Sequence, residues 1–205
     1  MTQDMKPAVK AKPKLPKKEQ RQQAHARRRL LSRLVWGAVG LVFLAVLGYG
    51  AWNLLRPKPG QSVPQQARTH IQVGDAHEPY NTDPPTSGPH AGTVRADFYE
   101  TAPPDENLVH NLEHGYVVIW YNCTGLDDAG CQSLKTQIRG VMNRAKPVVV
   151  ASDIKKLIAA PRPQMDARIA LTSWGRIDKL NSFNEAEITE FINVFRNKAP
   201  EPGAP

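Results

Sequence analysis

The chain has 205 residues and a formal net charge of +8 at pH 7. The charge is lopsided: residues 1–33 hold eleven Lys/Arg against Asp4 and Glu19, net +9, and the remainder carries −1. The basic balance therefore belongs to an N-terminal extension and does not mark the folded part as a nucleic-acid binder.

Residues 1–29 are rich in Lys, Pro and Gln and poor in apolar side chains, so they cannot bury enough surface to fold; the basic tail 1–33 is expected to be disordered. Leu34–Leu55, LVWGAVGLVFLAVLGYGAWNLL, carries no charge and one strongly polar side chain, Asn53. As a helix it spans about 33 Å, enough to cross a hydrocarbon core of about 30 Å. Trp36, Tyr49 and Trp52 fall near its ends, where aromatic rings favour the headgroup level. A buried core helix would show a polar face, and a cleaved signal peptide a shorter apolar run with a small-x-small site. The stretch reads instead as a single-pass anchor in the plasma (inner) membrane. The adjacent basic residues place the N-terminus in the cytoplasm and everything after residue 56 outside it, and they suit anionic lipid headgroups.

Residues 56–68 form a Pro/Gly/Gln spacer ahead of one extracytoplasmic domain, about 69–199, and residues 200–205 read as a disordered C-terminal tail. His70–Val73 is expected as a short strand. The segment 77–92, HEPYNTDPPTSGPHAG, is too rich in Pro and Gly for regular structure. Val94–Glu100 is a further short strand. Pro103-Pro104-Asp105-Glu106 opens a helix that closes at Gly115. Tyr116–Tyr121 (YVVIWY) has the pattern of a central strand, apolar on both faces. Leu126–Arg144 reads as a helix with Leu134, Ile138, Val141 and Met142 on one stripe. Pro147–Ser152 (PVVVAS) is expected as a buried strand and Asp153–Ala160 as a helical turn or two. Ala167–Thr172 and Gly175–Leu180 follow as strands. Asn184 caps a last helix whose Ile188, Phe191, Ile192 and Phe195 share a face. From 116 onward the order is βαβ then ββα, an α/β (α+β) arrangement like the thioredoxin core.

Outside the cytoplasm thiols pair, and Cys123 with Cys131 is the one bridge the composition allows. The two cysteines lie between strand and helix, where thioredoxin-like folds carry a redox pair. Seven residues intervene where redox pairs have two, so a structural staple is the expected role.

Histidines gather in PPTSGPH, ending at His90, and in HNLEHG, with His110, Glu113 and His114. On a helix His110 and His114 are one turn apart on one face, a spacing at which two imidazoles reach one ion. His90 supplies a third ligand from the loop, and imidazole-rich sites suit zinc or copper. The same groups can instead cap backbone and pin the Pro-rich loop. His110–His114 also fits the H-x-x-E-H pattern of inverted zinc peptidases, but those need a longer helix than Gly115 permits. Ser87 lacks the strand–turn–helix elbow of a nucleophile.

The run from PPTSGPH to NLVHNLEHGYVVIWY, with the later ALTSWGR, resembles the membrane-anchored bacterial proteins catalogued as domain of unknown function 3105. The likeness covers about residues 69–199. It implies that His90, His110, Glu113, His114 and Gly115 belong to one site, and it brings no activity with it. The cysteine pair lies outside that motif.

Overall fold

The structure, a computed structural model, describes residues 16–148 and 153–204. The chain divides into two compact units at Pro57/Lys58. The first is the helix α1, Lys17–Leu55. Its segment Arg27–Asn53 contains an 18-residue window of mean hydropathy 2.2 with no burial, and is long and apolar enough to cross a membrane. Residues 17–33, expected to lack structure, extend this helix toward the N-terminus. Their Lys, Arg, Gln and Ala are good helix formers, and lengthening an existing helix costs far less than starting one. Residues 1–15 lie outside the described residues.

The second unit is an α+β domain. Its elements are β1 (Gln61–Ser62), α2 (Asp105–Glu113), β2 (Val117–Tyr121), α3 (Asp128–Arg144), β3 (Leu157–Pro161), β4 (Ile169–Ser173), β5 (Arg176–Leu180) and α4 (Glu185–Phe195). The sheet runs β1-β5-β4-β2-β3. β2 pairs in parallel with β3 and antiparallel with β4, and β4 pairs antiparallel with β5. Every β2 residue is buried because helices cover both faces. Val117, Ile119 and Tyr121 meet Leu134, Ile138, Ile188 and Phe191 of α3 and α4 on one side. Val118 and Trp120 meet Leu108 and Leu112 of α2 on the other, where the Trp120 indole N–H donates to Thr172 Oγ1 at 2.9 Å. Caps appear where the composition asks for them. Asp127 accepts from Gly130 N at the start of α3, and Asn184 from Ala186 N at the start of α4. Cys123 and Cys131 lie at disulfide distance, with Cα atoms 5.3 Å apart, tying the exit of β2 to the first turn of α3.

Several expectations need correction. The strand parallel to β2 is Leu157–Pro161. Residues 149–152 of PVVVAS lie outside the described residues, and the turns expected over 153–160 are absent. Lys156 has φ 48°, which breaks a helix, and the apolar Leu157–Ala160 that follow are buried against both cores. His70–Val73 and Val94–Glu100 shrink to single bridges, His70 to His90 and Phe98 to Ala159. Residues 60–68 are not a free spacer: β1 pairs with β5, and Gln65 Oε1 accepts from the Trp174 indole at 2.9 Å. Gly60 makes that edge possible, since at φ 66° a Cβ would stand 2.6 Å from Ile177 O. The tail 199–204 is docked. Glu201 N donates to Glu113 O, and the buried Lys156 Nζ donates to His114 O, Pro202 O and Ala204 O at 2.8–2.9 Å.

Candidate metal centre

α2 begins after Pro104 with Asp105 and Glu106 in its first turn, where the helix dipole favours acid. It stops at Gly115, whose φ of 85° turns the chain into β2; a Cβ there would stand 2.8 Å from Asn197 Cα. The last turn thus ends with His110, Glu113 and His114 against the buried loop that carries His90. That loop is fastened by backbone and side-chain bonds. Gly175 N donates to Thr86 O, Gln66 N to Ser87 Oγ, and the Tyr80 hydroxyl to Pro89 O. The backbone at 69–71 runs beside His90: His90 N donates to Thr69 O, and Ile71 N to His90 O, both at 2.9 Å.

These elements bring together His70, His90, His110 and Glu113, with one ligand atom from each lying within 4.8 Å of the others. Ring centroids are 4.6 Å apart for His70 and His90, 4.8 Å for His90 and His110, and 5.1 Å for His70 and His110. His114 flanks the set, its Nε2 3.0 Å from His110 Nε2 as their one-turn spacing implies. His77 stands apart, near Glu106.

Hydrogen bonds fix which nitrogens face inward. His90 Nδ1 lies 2.8 Å from Gly88 O, and His110 Nδ1 contacts Ala91 O. A carbonyl only accepts, so both rings keep a proton on Nδ1, and in the neutral, metal-binding form Nε2 is the nitrogen left with a lone pair. A backbone carbonyl behind the imidazole is the usual support for a metal-binding histidine. Burial pushes His110 below the ordinary histidine value and neighbouring imidazoles add to this, although the Ala91 carbonyl opposes it. That keeps His110 neutral at pH 7, the form that binds metal.

Glu113 is 1% exposed and His90 fully buried. Glu113 Oε2 and His90 Nε2 are 2.9 Å apart, yet neither atom makes a hydrogen bond, because their directions do not align. Two buried acceptors pointed into one gap is a costly arrangement that a cation between them relieves. Donors about 2.0–2.1 Å from one tetrahedral ion stand about 3.3 Å from each other, so an ion between these two atoms needs them to part by about 0.4 Å. Glu113 Oε1 accepts from Arg68 Nη1 at 3.2 Å, and Arg68 also faces Glu201 at 3.7 Å. Glu201 in turn lies 3.8 Å from His114 Nε2.

Of the residues expected at the site, His90, His110, Glu113 and His114 are brought together. His70, Arg68 and Glu201 were missed. His70 lies 20 residues before His90 and meets it through one bridge, so no local spacing announced it. Ser87 serves as a turn residue that accepts a backbone bond. α2 ends at Glu113, too short for the peptidase reading.

A family model described as "Protein of unknown function (DUF3105)" matches residues 72–205, which include His90, His110, Glu113 and His114. No curated protein and no solved structure matches the chain.

Proposed function

The chain belongs to that family, DUF3105, and on this premise we propose that it is a membrane-anchored metal-binding module holding one divalent ion, zinc or copper(II), between His90, His110, Glu113 and His70. The observation that carries the reading is the buried, misaligned approach of His90 Nε2 to Glu113 Oε2. Support comes also from the carbonyls behind His90 and His110 and from the sulfur-free donor set, since three imidazoles and a carboxylate suit zinc(II) or copper(II) better than copper(I). His114, beside His110, is an added donor on the rim.

The anchor is α1, with the basic tail toward cytoplasmic anionic lipid and the α+β domain outside, where the cysteine pair is oxidised. The order β5-β4-β2-β3, with one parallel and two antiparallel pairings, supports a thioredoxin-like core extended by β1. The module then binds or passes metal at the envelope without chemistry of its own.

A second reading has a specific observation behind it: His90 pairs through its backbone with Thr69 and Ile71, so the same motif fastens the loop. In that case the domain is an envelope partner-binding protein with a structural His/Glu cluster. Thermal melts of the full chain in detergent separate the two. With metal at about 100 times its Kd, the wild type should gain about 2.7 kcal/mol. His110→Ala should lose that gain while the metal-free protein melts much as before. A drop in melting that is the same with and without metal would favour the structural reading.

A further inference from the structure

We propose that the metal centre takes a small carboxylate or oxyanion as an exogenous ligand on its His70–Arg68 side; this rests on the metal reading above. The two sides of the cluster differ in exposure. His90 and Glu113 are sealed, whereas His70 is exposed, so any coordination position left open by the protein faces solvent past His70. Arg68 stands at that mouth, its side chain 49% exposed. Residues two apart on extended backbone share a side, and Thr69 between them is held by His90 N. Arg68 therefore accompanies His70, with its guanidinium 3.2 Å from the carboxylate that faces His90.

The guanidinium is only partly used. Its approaches to Glu113 and Glu201 are through Nη1, and among the described residues no hydrogen bond from Nε or Nη2 is found. Those are two donors in the fixed fork that fits a carboxylate or phosphate edge. The charge balance asks for an anion as well. Among the described groups that touch one another at the mouth, a divalent ion with Arg68 would bring three positive charges against the carboxylates of Glu113 and Glu201, leaving one positive charge over. Glu201, half exposed on the docked tail, already holds a carboxylate between Arg68 and His114 at 3.7 and 3.8 Å. This is the kind of group the mouth accommodates, and an external anion would compete with it. Metal and guanidinium together recognise the anion at two points: one oxygen on the ion, another on the Arg68 fork.

The test uses the full chain in detergent, loaded with copper(II) and followed by its visible absorption and electron paramagnetic resonance. Acetate and inorganic phosphate are titrated as probes, and azide, which binds a metal without needing a guanidinium, serves as control. Acetate and phosphate should shift the wild-type spectrum. Arg68→Met should weaken both by about tenfold or more, the worth of a charge-assisted hydrogen bond, and leave azide binding unchanged. Glu201→Gln, which removes the internal competitor, should tighten acetate binding and keeps the test open should Arg68→Met load copper poorly. Acetate binding that is equal in wild type and both variants, or a copper spectrum indifferent to all three anions, overturns the proposal. A wild-type chain that takes up no copper overturns the metal reading itself and this inference with it.

Discussion

Replacing Glu113 by glutamine separates two ways a carboxylate can sit 2.9 Å from a buried imidazole. Gly88 O holds a His90 proton on Nδ1, so in the neutral ring the Nε2 lone pair and Glu113 Oε2 are two acceptors side by side. A glutamine amide there replaces one of the two acceptors by a donor and, after a small rotation that aligns it, gains at most one neutral hydrogen bond worth about 1 kcal/mol. Against this, the half-exposed Arg68 loses a charged partner at 3.2 Å, a loss of about 0–1 kcal/mol for such a pair. The metal-free variant should therefore keep the wild-type stability within about 1 kcal/mol, a melting shift of about 2–4 °C at most for a domain of this size. Metal binding should suffer far more, since an anionic donor is lost; the affinity should fall beyond the 10–100-fold (approximately) typical of removing a supporting group. Melts of the metal-stripped full chain and competition against a chromophoric chelator give both numbers. If His90 is instead an imidazolium paired with Glu113, the substitution strands a buried charge and costs about 3–5 kcal/mol. That result, or an unchanged metal affinity, would refute the reasoning.

Lys156→Met removes a buried ammonium that donates to His114 O, Pro202 O and Ala204 O. The variant should lose about 2–3 kcal/mol, since bonds to a charged group are worth more than neutral ones and desolvation of the ammonium offsets part of that. Hydrogen exchange should show residues 199–204 losing protection first; protection unchanged there would contradict the docking. Acidification should destabilise the metal-free domain. The His110 pKa is lowered in the folded state, so the unfolded chain takes up its proton first. The stability that His110 contributes is full above the ordinary histidine value and is lost as pH falls through the lowered folded value. His110→Asn should flatten that part of the pH–stability curve measured by denaturant titration; an unchanged slope would place the titration elsewhere.

Much of the fold is visible in the primary structure because its elements follow strong local rules. YVVIWY is apolar at every position, and β2 is covered on both faces. The α3 stripe Leu134, Ile138, Val141 and Met142 is the set the helix buries. β3 was mislaid because PVVVAS outcompetes LIAAP on β-branching, while the two alanines of LIAAP favour helix; the decision lies in long-range pairing with β2 and in the backbone turn at Lys156. The tail and linker looked structureless because their anchors are distant partners, Lys156 for residues 202 and 204 and β5 for Gln61–Ser62. At the site, the one-turn spacing of His110 and His114 and the proximity of Glu113 could be read from a single helix. His70, Arg68 and Glu201 could not, since each reaches the cluster from a segment with no periodic signal.

The most direct test of the central claim is metal stoichiometry. The full chain, purified in detergent and stripped with chelator, is exposed to zinc or copper(II), desalted and analysed by elemental mass spectrometry. About one tightly held ion per chain is the result expected from a preformed site of three imidazoles and a carboxylate. Fewer than about 0.1 ion per chain with both metals would show that His70, His90, His110 and Glu113 do not form a metal centre.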